Sequence, residues 1–83
     1  MLKVLIVDDS LIIRKKVSKI LENLGHEVVF DATNGQEAID AYVKYKPDLV
    51  TMDITMPDMD GITAVKHIIK EDKDAKIIMV TSH

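Results

Sequence analysis

The chain of 83 residues contains no cysteine, so it can form neither a disulfide nor a thiolate metal site. That fits a reducing compartment. It also lacks any long hydrophobic run. Its apolar stretches fall far short of the roughly 20 residues that a spanning helix needs. The first of them, Val4 to Val7, stops at two aspartates, too early for the apolar region of a signal peptide. There is no basic stripe either. Eleven Lys and Arg against fourteen Asp and Glu leave a net charge of -3, which argues against a nucleic-acid surface. The one run of three basic residues, Arg14-Lys15-Lys16, reads as the solvated face of a helix. No linker, low-complexity stretch or repeat of about 20–50 residues interrupts the chain. The expectation is one small cytoplasmic domain with a thin stability margin and no membrane or nucleic-acid partner.

What is present is an alternation of strand and helix patterns. Lys3 to Val7 and Asp48 to Met52 are short apolar runs of the kind buried in parallel sheets. Between them the spacing predicts a helix near Leu11 to Leu24, with Ser10 as N-cap and Gly25 as its stop. Ile13, Val17, Ile20, Leu21 and Leu24 form its apolar face. A short strand, Glu27 to Phe30, follows. A second helix then runs to about Tyr45, capped by Asn34 with Glu37 at the capping-box position and ended at Lys46-Pro47. Ile54 to Asp60 is a loop, and Gly61 serves the turn into a third helix that buries Ile62, Val65 and Ile69. That helix dissolves in Glu71 to Asp74, and Lys76 to Val80 is the last strand. Met52, Met79, Met56 and Met59 read as packing residues. The order implies an α/β fold, a doubly wound parallel sheet with right-handed crossovers.

The chemistry-bearing residues lie where strands end. Asp8 and Asp9 follow the first strand, and Asp53 follows the third. Ligands of open α/β sheets gather at the carboxyl ends of their strands. Three acids there repel one another unless a cation sits between them, and oxygen-only ligands favour magnesium. His26, His67 and His83 share no ligand-like spacing.

Val7-Asp8-Asp9-Ser10, then Asp53-Ile54-Thr55-Met56-Pro57-Asp58-Met59-Asp60-Gly61, then Val80-Thr81-Ser82 resembles the receiver domain of bacterial two-component response regulators, of the chemotaxis-regulator kind. The resemblance covers the whole chain. It implies a flavodoxin-like receiver fold, Asp53 as phosphoacceptor, and Mg2+ held by Asp9 directly and by Asp8 through water. It further implies the backbone carbonyl of Thr55 as a metal ligand, Thr81 as the switch hydroxyl, and Ser82 leaving room beside it. The implied partners are a sensor histidine kinase and a downstream output protein or domain. Asp58 and Asp60 read as loop and N-cap residues.

The family pattern continues past residue 83. Helix 4, strand 5 and helix 5 have no counterpart, so residues 1–83 are expected to be a receiver truncated after its fourth strand. No residue matches the strand-5 lysine or the aromatic switch partner, and Lys76, at the amino end of the sheet, cannot substitute. The fourth strand would then be an open edge, which either pairs with a second copy or leaves the domain loosely folded.

Two other readings stand beside the phosphoacceptor module. One is a haloacid-dehalogenase-type phosphatase, which needs a second acid two residues after its nucleophile. Thr55 and Ser10 occupy those positions, which disfavours an enzyme. The other is a degenerate or truncated receiver that acts only as a protein-binding module.

Overall fold

In the computed structural model, which describes residues 1–54, 56 and 61–80, seven elements alternate along the chain. They are β1 (Lys3–Val7), α1 (Leu11–Asn23), β2 (Glu27–Ala32), α2 (Gly35–Tyr45), β3 (Leu49–Asp53), α3 (Gly61–Glu71) and β4 (Ile77–Val80). The strands form one parallel sheet in the order β2-β1-β3-β4, the doubly wound arrangement expected from the sequence. Among the described residues β2 and β4 are its edges.

Side-chain alternation along β1 and β3 divides the interior. Leu5 and Val7 pair in register with Val50 and Met52, and all four are buried with Ala38, Ala41, Ala64 and Ile68 beneath α2 and α3. Val4 and Ile6 point to the opposite face, where α1 packs against β1 and β2.

Local chemistry sets the ends of the helices. The Ser10 hydroxyl accepts the N–H of Ile13, capping α1. At its far end Gly25, at φ +88°, donates to the Glu22 carbonyl and His26 to that of Leu21, the paired closure that a left-handed residue permits. Asn34 caps α2 by accepting from the Glu37 N–H. Glu37 reaches one residue further back than a capping box requires, accepting from both the N–H and the hydroxyl of Thr33. Those two bonds hold its carboxyl below the usual range.

Several expectations need correcting. β2 runs on to Ala32, two residues past Phe30, because Asp31 and Ala32 still pair with Ile6 and Val7 of β1 and the Asp31 charge is met by Arg14 of α1 at 3.3 Å. Arg14 is buried and turned inward, unlike the solvated face read from the basic triplet. Ile20 and Leu24 are 58% and 68% exposed, since among the described residues α1 packs mainly on β1 and β2 and the far side of its apolar face reaches past them. Met79, on the β4 edge, is exposed, whereas Met52 and Met56 are buried as expected.

In α3 the buried face is Gly61, Ala64 and Ile68, with Val65 half-buried, while Ile62 and Ile69 are exposed. The difference is one residue, a rotation of about 100°. Gly61 causes it. A Cβ there would overlap the backbone carbonyl of Asp53, so only glycine lets the first turn of α3 lie flat against the end of β3. Close approach, not an unusual φ, is the reason for this glycine.

Asp72, which the sequence places in a dissolving helix end, joins α3 to α2. Its carboxylate accepts from the buried Tyr42 hydroxyl at 2.8 Å and from the Asp74 N–H at 3.0 Å. Burial first, then the bond to Asp72 and its charge, push the Tyr42 phenol up to about 12.

Two outcomes follow. Gly61→Ala should destabilise the domain by about 1–3 kcal/mol in urea titration, because the obstruction is backbone and cannot turn aside. Tyr42→Phe should cost about 1 kcal/mol at pH 8. A phenol whose pKa is raised on folding lends stability that is complete below its unfolded value near 10. That stability is lost as pH climbs to about 12. Melting curves of the two proteins should therefore converge across that interval.

Candidate functional site

The register of β1 on β3 brings Val7 beside Met52, so the residues that follow, Asp8 and Asp53, emerge together at the carboxyl end of the sheet. Asp8 is tied at three points. Its N–H donates to the Ala32 carbonyl at 3.1 Å, its carboxylate accepts the Ser10 N–H at 2.8 Å, and its carbonyl accepts Arg14 Nη1 at 2.8 Å. The first bond prolongs the pairing with β2, and the second makes the tight turn that leads into α1. Asp53 is the last residue of β3, with Gly61 pressed against its carbonyl.

One carboxylate oxygen from each of Asp8, Asp9 and Asp53 lies within 4.8 Å of the other two. Asp8 and Asp53 are buried and Asp9 is exposed, which leaves one open side. Burial is the first cause that raises the Asp8 carboxyl above its ordinary range. The Ser10 N–H pulls the other way, and the charges of Asp53 and Asp9 add to the rise. Such a carboxyl is protonated more readily in the folded state. The stability linked to it is present in acid and declines as pH rises through its folded pKa. The charged form of the buried Asp8 carboxyl is therefore a cost that a cation would remove. An all-oxygen set of this charge and spacing fits a hard divalent ion.

The structure thus brings together three of the five residues singled out by the sequence. Thr55 and Thr81 lie outside the described residues, as do Pro57, Asp58, Asp60 and Ser82. Two neighbours of the site were missed. Gly61 was read as a turn and Arg14 as solvated. The signal for Arg14 was available, because it stands three and seven residues before Val17 and Leu21 and shares their half-buried stripe.

Comparison with known proteins bears on this arrangement. Residues 4–83 match the response regulator receiver domain. The chain is 51% identical over 80 residues to the chemotaxis protein CheY of Thermotoga maritima, covering 96% of this chain and 67% of that one. Among solved structures, the CheX-CheY-BeF3-Mg2+ complex of Borrelia burgdorferi superposes with a TM-score of 0.94 at 41% identity, over 98% of this chain and 62% of that one. The response regulator domain of Thermotoga maritima CheB gives 0.93 at 40% identity, over 99% and 61%. The chain therefore spans about two thirds or less of the length of these relatives.

Asp8→Asn keeps an oxygen for the Ser10 N–H and removes one of the three charges. In EDTA at pH 7 its Tm should rise by a few degrees, where about 1 kcal/mol corresponds to roughly 4–8 °C. Magnesium should raise the Tm of the unsubstituted chain, and that increase should shrink or vanish in Asp8→Asn.

Proposed function

The chain belongs to the response regulator receiver domain family, and on that premise we propose that it is a phosphoacceptor signalling module in which Asp53 takes a phosphoryl group from a histidine kinase. The observation that carries this reading is the convergence of Asp8, Asp9 and Asp53, three carboxylates within 4.8 Å at the carboxyl ends of β1 and β3. The CheY of Borrelia burgdorferi has been crystallised with Mg2+ and BeF3, which supports the same use of these acids here.

Asp8, Asp9 and Asp53 would hold Mg2+, with the Thr55 carbonyl as a further ligand. The ion, when bound, neutralises the repulsion between the attacking carboxylate and an anionic phosphoryl group. A carboxylate oxygen of Asp53 forms the new bond to phosphorus as the bond from phosphorus to the donor imidazole breaks. The electron pair leaves with that nitrogen, which takes up a proton. Hydrolysis reverses the state, a water oxygen attacking phosphorus while Asp53 departs as carboxylate. Thr81 would donate its hydroxyl to the phosphoryl oxygens, a bond made in one state only and hence able to shift a conformational equilibrium.

On this reading the module is a switch and not a turnover enzyme. Its partners are a sensor histidine kinase and an output protein or domain, and its setting is the cytoplasm. A second copy pairing along the β4 edge is a further proposed partner. Residues 1–83 are proposed to supply the first four strands of a receiver.

The test uses a small acyl phosphate, which needs no kinase. With magnesium, the intact mass of the chain should grow by one phosphoryl group. EDTA or Asp53→Asn should prevent it. No gain of mass in the unsubstituted chain contradicts the proposal and leaves a module that only binds proteins, whereas a gain that survives Asp53→Asn contradicts Asp53 as the acceptor.

A further inference from the structure

Arg14 is 8% exposed, the one charged residue that α1 buries. Its guanidinium makes two directed contacts. Nη1 donates to the Asp8 carbonyl at 2.8 Å in a buried bond, and Nε donates to Asp31 Oδ2 at 3.3 Å. The carbonyl it holds belongs to the peptide that joins Asp8 to Asp9. That peptide lies past the end of β1, where sheet pairing no longer fixes its plane. Rotation about it would swing the two carboxylates relative to each other and to Asp53. Asp31, at the end of β2, anchors the other side of the guanidinium. A planar fork with its charge spread over several donors suits this double role better than an ammonium.

Resting on the metal-site reading above, we propose that Arg14 is a positioning residue for the divalent-cation site, which fixes the Asp8–Asp9 peptide so that both carboxylates converge with Asp53. It touches neither the ion nor the phosphoryl group. Its effect passes through the Asp8 carbonyl, and Asp31 holds it in place. Partners that orient metal ligands in this way commonly cost about 10- to 100-fold in metal affinity when they are removed.

The test is calorimetric titration with magnesium chloride of the unsubstituted chain, Arg14→Met, Arg14→Lys and Ile68→Val, each with its Tm in EDTA. Arg14→Met should bind magnesium at least about tenfold more weakly. Arg14→Lys, which can keep a donor for the Asp8 carbonyl but not the fork that also holds Asp31, should bind magnesium with an affinity between those of Arg14→Met and the unsubstituted chain. Ile68→Val weakens the core beneath α3 and should lower Tm with magnesium affinity unchanged. That separates positioning from general loss of stability. Should Arg14→Met not fold, Asp31→Ala, at a half-exposed side chain, removes the anchor and should weaken binding by about two- to fivefold. Unsubstituted affinity in Arg14→Met, or in Asp31→Ala where that is the variant in use, overturns the proposal. So does an equal loss in Ile68→Val. If the unsubstituted chain fails to bind magnesium, the metal-site reading fails first, and this proposal with it.

Discussion

The parallel register of β1 on β3 is the constraint on which the rest depends. With Val7 opposite Met52, the chain leaves both strands on the same side of the sheet, about 4.8 Å apart. Two carboxylates are thereby forced together before any loop contributes. A slip of β1 by one residue would turn Leu5 and Val7 away from α2 and α3 and onto the face under α1, so the packing that holds the register also holds the acids in place. Packing and function are here the same set of contacts.

The cost of that placement is met locally. Asp8 is desolvated and faces two other acids, and its chain is secured by Ala32, Ser10 and Arg14. None of these bonds cancels the charge of the cluster as a whole. A site built in this way is secured at its backbone while its acids stand close together. On the proposed function, such a site would respond to a cation or a phosphoryl group without first having to assemble. Gly61 contributes to the same stiffness from the other side, bringing the first turn of α3 onto the carbonyl of Asp53.

Much of this was legible from the amino-acid order. The apolar runs of β1 and β3, the caps Ser10 and Asn34, and the acids at strand ends all rest on local rules that tertiary contacts did not override. What escaped depended on contacts between distant residues. Asp31 looked like the end of a strand because its partner, Arg14, lies seventeen positions away. α3 was assigned the wrong face because an apolar count gives no weight to glycine, and Gly61 is the residue that sets its rotation. The role of Asp72 depends on Tyr42, thirty positions earlier, and no local pattern announces it.

The carboxyl ends of β1 and β3 are proposed to form one hard-cation site. The most direct measurement is to titrate trace Mn2+ into the 15N-labelled chain and follow paramagnetic broadening of its amide signals, with excess Mg2+ as competitor. Asp8, Asp9, Ser10, Ile54 and Gly61 should broaden first and recover together when Mg2+ is added. Broadening centred on Asp48, Asp72 and Asp74 at the opposite end of the sheet, or spread evenly over the acidic surface, would contradict it.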